Sequence, residues 1–319
     1  MIKYAIIGAG WRSEFYLKIA ALLPNEFSVS GIYIRNSEKQ KEFAKKYNVK
    51  IFGTLYGLLK TDFDFIASCV NKDGISDMIK TLTALDIPVL TETPVTDGTL
   101  GGRVQVAEQF HFMPRNQAYK KIIDSGILGE VHSVRLSCCH DYHAASLIRF
   151  FLDTGFEKPE ITSISLIDPV TRYNSRAGYI TPAVIKEEEK IKIFKFKDKT
   201  AVYDFSFEQY FSDIRSSQIN IRGTNGEIVN NTCSYLKDGV PQRFEIYRNT
   251  YGVEESLDGM CLFNITGGGE VLYTNPFPLA RLSDEEIAIA TCLVKMKAYI
   301  KTGEAFYSLK DAEFDCAII

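Results

Sequence analysis

The feature that most constrains this chain is its first seventeen residues, an apolar run from Ile2 to Ile7 that breaks at Gly8 and Gly10 and continues as a helix. Short, rich in isoleucine and abruptly ended, Ile2 to Ile7 reads as a buried parallel strand. Gly8 permits a tight turn, and Gly10 lets a ligand approach the backbone where a Cβ would block it. A helix beginning near Trp11 aims the backbone N–H groups of Trp11, Arg12 and Ser13, and the positive end of its dipole, at whatever lies over the turn. That is a phosphate site. Ser13 stands where the dinucleotide fingerprint has its third glycine, so the motif is G-x-G-x-x-S. Alone it describes many ordinary strand-to-helix turns, and its weight comes from heading an alternating β/α pattern.

A helix over Glu14 to Leu23 and a strand over Phe27 to Ile34 complete the first unit of that pattern. The end of the second strand normally carries an Asp or Glu that binds the adenosine ribose of NAD. Here Ile34 takes that place, twenty-one residues past Ser13, and Arg35-Asn36-Ser37 follow. Without a carboxylate there, Arg35 and Ser37 can hold a 2′-phosphate, so NADP is expected in preference to NAD. The plainer alternative is an Arg35 that merely faces solvent. A charged helix follows over Ser37 to Tyr47, then strands over Val49 to Phe52 and Asp64 to Asn71. Asn71 and Glu92, at strand ends on the ligand-binding edge, are further candidate cofactor contacts. Only nine residues separate Pro94 from Val104, too few for a crossover helix, and Gln105 to Phe112 reads as one more strand carrying Glu108, Gln109 and His111.

After Pro114 the pattern changes to strand-like runs with hairpin signals: Val131 to Cys138, Ile161 to Ile167, Ile191 to Phe196, Ala201 to Phe207, Gln218 to Arg222 and Phe244 to Tyr247. The expected fold is α/β followed by α+β: a Rossmann doubly wound parallel sheet over residues 1–113, then a mainly antiparallel open-sheet domain over 114–319. Helices are expected at Ala144 to Leu152 and, capped by Ser283, at Asp284 to Lys301. The chain ends at Ile319 inside an expected helix. A formal net charge of −3 gives no basic field for nucleic acid. No run of eighteen apolar residues and no signal-peptide pattern occur, so the expectation is a cytoplasmic protein with no membrane partner. Seven cysteines without a C-x-x-C pair suit reduced thiols.

By its motifs the chain resembles the glucose-fructose oxidoreductase / inositol dehydrogenase family, Gfo/Idh/MocA. The resemblance rests on Ala5-Ile-Ile-Gly-Ala-Gly10, on Leu90-Thr-Glu-Thr-Pro94 in place of the family's E-K-P, and on Ile122 to Val131 at its helix-to-sheet junction. It rests further on His143-Ala-Ala-Ser-Leu-Ile-Arg149, similar to H-x-x-D-x-x-R, on Ile221 to Glu227, and on Tyr307 to Ala312. It covers nearly the whole chain and implies a Rossmann domain before an open sheet, NAD(P), a carbohydrate-like small-molecule substrate and a homodimer or higher homo-oligomer. The implied activity is an NAD(P)-dependent oxidoreductase that moves a hydride between nicotinamide and a sugar or polyol hydroxyl.

The departures bear on catalysis. Thr93 replaces the lysine that takes part in proton transfer, the D-x-x-x-H motif laid on Cys139-His-Asp-Tyr-His143 keeps only its histidine, and Ser146 replaces the later aspartate. His143 is then the candidate acid/base, with Asp141 to orient it and Thr93 and Tyr142 as hydrogen-bond partners of the reacting oxygen. Alternation at a strand end would point His140 and His143 to opposite sides. The alternative is structural, with Asp141 capping a helix and His143 in its first turn. Arg149 reads as structural, Arg172, Tyr173, Arg176 and Tyr179 as a polar loop over a sugar, and Tyr210 and Phe211 as core or interface. All four histidines fall within 33 residues, but their spacing is not that of a zinc site, and no metal is expected. Two rivals stay open: a degenerate dinucleotide- or sugar-binding partner protein without turnover, and a lyase or glycosidase with tightly held NAD.

Overall fold

From Tyr4 onward β1 (Ile2–Ile7) is sealed on both faces, as a strand flanked by strands and covered by helices must be. The computed structural model describes residues 1–251 and 260–319 and divides into two compact units. The first comprises Met1–Pro114, the described part of Thr250–Phe263, and Asn275–Ala317. The second comprises Arg115–Asn249, Asn264–Thr274 and the last two residues.

In the first unit β1 leads to α1 (Trp11–Leu22), β2 (Phe27–Tyr33), α2 (Ser37–Lys46), β3 (Ile51–Phe52), α3 (Leu55–Leu59), β4 (Phe65–Ser68), α4 (Ile75–Thr83), β5 (Val89–Thr91) and β6 (Val104–Val106). All pairs are parallel, in the order β3-β2-β1-β4-β5-β6. This is the expected doubly wound sheet, and its order reverses between β1 and β4, the place where sheets of this kind bind ligands at their strands' C-terminal ends. The strand expected over Gln105 to Phe112 stops at Val106. Gln109–Phe112 turns instead as a 3-10 helix, because the Glu108 carboxylate accepts the N–H of Phe110 and caps it.

The second unit begins with α5 (Pro114–Asp124), at whose first residue the division falls. It holds β7 (Val131–Ser137), α6 (Asp141–Leu152), β8 (Glu160–Ser175), β9 (Gly178–Lys195), β10 (Thr200–Ser206), β11 (Gln218–Gly223), β12 (Gly226–Val229), β13 (Thr232–Lys237) and β14 (Val240–Glu245). Their sheet runs β14-β13-β12-β11-β7-β10-β9-β8, antiparallel except where β7 meets β10. One face buries Val134, Leu136, Phe194, Ala201, Tyr203, Ile219 and Ile221. β8 and β9 run well past the expected Ile161 to Ile167 and Ile191 to Phe196, pairing from Glu160 with Lys195 to Ser175 with Gly178. The polar loop expected around Arg172 is therefore strand, and only Arg176 and Ala177 turn. Val170, Thr171, Tyr173, Tyr179, Ile180 and Thr181 fit a pleated surface in spite of their polar neighbours. β15 (Tyr247–Thr250), β16 (Leu262–Gly267) and β17 (Glu270–Thr274) form a separate three-stranded sheet.

The chain then returns to the first unit, which corrects the expectation that residues 114–319 form one domain. α7 (Asp284–Thr302) starts at a capping box in which Ser283 and Glu286 satisfy each other's backbone N–H groups. Its Lys297 pairs with Asp64, and Lys18 of α1 reaches Glu286 at 2.6 Å. α8 (Leu309–Ala317) explains the short crossing from Pro94 to Val104. Val95, Leu100, Val104 and Val106 share one core with Tyr307, Leu309 and Ala312, so the chain's last helix covers what a crossover helix would cover. Val106 N–H donates to the Tyr307 carbonyl at 2.9 Å, and the Gln105 side-chain oxygen accepts from the N–H groups of Phe306 and Tyr307 at 2.8 and 3.0 Å.

Candidate functional site

In the first unit the site is built on the turn after β1. Gly8 has φ +106°, and a Cβ there would meet the Cys69 carbonyl at 2.5 Å, so the turn requires glycine. Gly10, at the N-cap of α1, differs. A Cβ on it meets nothing nearer than 4.0 Å, which leaves open space above the backbone. Ser13 does not fill that space, because its buried hydroxyl folds back to the Gly10 carbonyl at 2.5 Å. No side chain caps α1, and although the Ser13 N–H turns back to the Gly10 carbonyl at 3.1 Å, the N–H groups of Trp11 and Arg12 face the open end of the helix. Ser68, at the end of β4, has a buried hydroxyl with no hydrogen-bond partner among the described residues. Open backbone at Gly10, uncapped donors and the unsatisfied Ser68 hydroxyl fit a dinucleotide at this turn.

The side chains around the turn are of two kinds. Arg12 is committed: its Nε lies 3.1 Å from Glu92 and its Nη1 2.8 Å from Glu285 of α7. Burial works against its charge, but the two carboxylates outweigh burial and hold its pKa above the usual range. Glu92 also accepts the Tyr16 hydroxyl at 2.6 Å, and Gln109 donates to Glu285 at 3.2 Å. Arg12 and Glu92 thus brace the turn with their side chains, and Arg12 can offer a ligand its backbone. Arg35 and Ser37 are exposed just beyond β2, beside buried Ile34. Sequence reasoning missed Lys39, whose ammonium sits on the Ala9 carbonyl at 3.2 Å, within the glycine turn itself. Its signal was its place in the first turn of α2, where Asn36 caps the helix through Lys39 N–H at 3.0 Å. Asn71 is exposed before a short 3-10 turn, and Thr93, half-buried, is joined to Pro94 by a cis peptide.

The second unit gathers a different set at the start of α6. His140 is the N-cap, and the rings of His140 and His143 meet edge to face with centroids 5.1 Å apart. That corrects the expected opposite orientation: the chain is already helical from Asp141, so strand alternation does not apply. Tyr210 accepts the backbone N–H of His140 at 2.8 Å and lies 2.7 Å from its Nδ1. With its oxygen accepting the backbone N–H, the hydroxyl can give its own proton to Nδ1, the arrangement in which the ring proton sits on Nε2. Burial pushes the Tyr210 hydroxyl far above its ordinary pKa, so it stays protonated as the donor this arrangement needs. Tyr203, likewise raised by burial, accepts the Asp141 N–H at 3.1 Å.

Asp141 has φ +39°, and its carboxylate lies 3.4 Å from Lys190 of β9. No side-chain hydrogen bond caps α6 among the described residues. His143 is buried, with its N–H on the His140 carbonyl at 3.2 Å, and Ser146 donates to the His143 carbonyl at 3.0 Å. Arg149 donates to the Gly155 carbonyl at 3.1 Å, in keeping with its structural reading. Tyr203, Lys190 and Lys192 were not legible as site residues, because only strand register brings them to α6, and Tyr210 reaches His140 from a 3-10 turn, Phe207–Phe211. Among the described residues no three of His, Cys, Asp and Glu gather as a metal-holding group, and no helix is long and apolar enough to cross a membrane.

No curated protein matches the chain by sequence. Solved structures do match by shape. An oxidoreductase from Agrobacterium radiobacter in complex with NAD+, L-tartaric acid and magnesium is similar over 99% of this chain and 94% of its own, with a TM-score of 0.67 and 14% identity. A levoglucosan dehydrogenase in complex with NADH and levoglucosan is similar over 99% and 95%, with a TM-score of 0.67 and 14% identity. A myo-inositol dehydrogenase from Corynebacterium glutamicum is similar over 100% and 94%, with a TM-score of 0.65 and 13% identity. At such identities the likeness is one of fold. Residues 2–111 match the model of the Gfo/Idh/MocA oxidoreductase family, NAD-binding Rossmann fold, so the first unit is similar to that family's nucleotide-binding domain.

Proposed function

We propose that the chain is an NADP-preferring oxidoreductase acting on a hydroxyl or carbonyl of a sugar, polyol or related small molecule. The observation that carries the reading is the glycine turn, where Gly10 leaves open backbone and Lys39 adds a cation on Ala9, while no carboxylate follows β2. Lys39, Arg35 and Ser37 favour a 2′-phosphate, and the N–H groups of Trp11 and Arg12 the pyrophosphate. The bound dinucleotide supplies the two-electron redox chemistry. His143 takes the proton of the reacting hydroxyl or returns it, and the Nε2–H of His140, fixed by Tyr210, donates to an oxygen of the substrate. Thr93, Asn71 and Glu92 are read as lining the nicotinamide end. Fluorescence titration with NADPH and NADH tests this, with NADPH binding at least tenfold tighter and Arg35→Ala with Lys39→Ala erasing the difference. No response to either nucleotide would remove the reading.

Thr93 in place of lysine favours a second reading, a binding protein without turnover. Turnover of a neutral or acidic polyol that is lost in His143→Ala rejects it. The reading also includes a cytoplasmic homo-oligomer. Ile164, Leu166 and Ile193 stand exposed on the sheet face opposite Tyr203, and all seven cysteines are free thiols. A monomer in sedimentation at micromolar concentration would remove the first part, and export of a tagged chain the second.

A further inference from the structure

On β9, Lys190 and Lys192 pair directly with Phe205 and Tyr203 of β10, so both lysines lie on the sheet face that meets α6. Two residues apart on one strand, their stems start roughly 7 Å from each other on the same side. Tyr203 reaches the Asp141 N–H, and Phe205 packs on Tyr210 with ring centroids 4.9 Å apart, so the lysines flank the histidine pair's own supports.

Their charges are unequally met. Lys190 has Asp141 at 3.4 Å. The Lys192 side chain is half-buried and makes neither a hydrogen bond nor an ion pair among the described residues. Burial lowers its pKa, and Lys190 adds to this, while Asp141 and Glu188 oppose it without prevailing. The ammonium thus has no direct ion pair, because Asp141 lies against Lys190 and Glu188 acts only at a distance. A lysine stem can bury itself against a sheet and leave its head in water, but then solvent would keep its charge at full strength.

We propose that the second unit takes a polyol bearing an anionic group, a carboxylate or a phosphate ester, and that Lys192, seconded by Lys190, binds that group. This rests on the oxidoreductase reading only for the word substrate; the binding claim stands on the second unit alone. The histidines then face the hydroxyl-bearing part of the same molecule, and the anion fixes its orientation. One charge-assisted contact of this kind contributes roughly 1.5 kcal/mol, about tenfold in affinity.

Calorimetric titration of the whole protein tests it. D-gluconate, D-glucuronate and D-glucose 6-phosphate are compared with D-glucose and myo-inositol, and inorganic phosphate serves as a bare anion. At least one anionic polyol is expected to bind tenfold or more tighter than its neutral counterpart, and which one separates carboxylate from phosphate. Lys192→Gln should erase that advantage, Lys192→Arg should keep most of it, and Lys195→Gln, the same charge change on an exposed lysine of β9, should leave it intact. Equal binding of neutral and anionic polyols, no binding by any, bare phosphate binding as tightly as the phosphorylated sugar, or equal losses in Lys192→Gln and Lys195→Gln would overturn it. NADPH titrated against the same proteins reports separately on the first unit, so a failure of the cofactor reading is seen as such.

Discussion

Two charged clusters mark the two units, and they are managed in opposite ways. Around Arg12 every charge is met: guanidinium, two carboxylates, a phenol and an amide close on one another in a largely buried network. Around Lys192 the two carboxylates are not arranged to receive it, since Asp141 lies against Lys190 and Glu188 acts only at a distance, and the close geometry there serves the Tyr210–His140 contact instead. The difference teaches where a ligand's charge is to be met. Buried ions that satisfy each other brace a backbone that binds through N–H groups, whereas an unmatched ion at a half-open surface awaits a ligand.

Breaking the first cluster should have the largest effect. Arg12→Met leaves Glu92 and Glu285 without their cation and should destabilise the protein by about 3 kcal/mol in urea denaturation. A loss below about 1 kcal/mol would mean that the cluster is ornament and the contrast false. In the second cluster, Tyr210→Phe removes both the acceptor of a backbone N–H and the donor to Nδ1, at about 1–2 kcal/mol. It should also release His140 to sample both tautomers, visible in imidazole nitrogen chemical shifts; an unchanged tautomer would show that Tyr210 does not set it. Smallest in stability is Gly10→Ala, within about 0.5 kcal/mol because the added methyl enters open space. NADPH affinity should nonetheless fall at least tenfold, and unchanged affinity would place the dinucleotide elsewhere.

Much of the first unit was legible because its signals are local. A glycine at φ +106°, the Ser283 cap, and apolar strands sealed on both faces each declare themselves within a few residues. What stayed hidden depends on partners far along the chain. Arg12 reads as a phosphate ligand until Glu285 appears beside it, 273 residues away. The lysines of β9 look like solvated charges until register sets them opposite Tyr203 and Phe205. The long hairpin was shortened in the sequence reading because polar residues around Arg172 resemble a loop, while their β-branched and aromatic neighbours carry the strand.

The substitution of α8 for a crossover helix also orders events at the ribosome. β6 borders the parallel sheet, and its apolar side and one backbone carbonyl partner wait for residues 306–317. Domains usually close from the amino end as the chain emerges. Here the nucleotide-binding sheet stays open at one margin while the whole second unit is synthesised, so the first part to be made is the last to be finished.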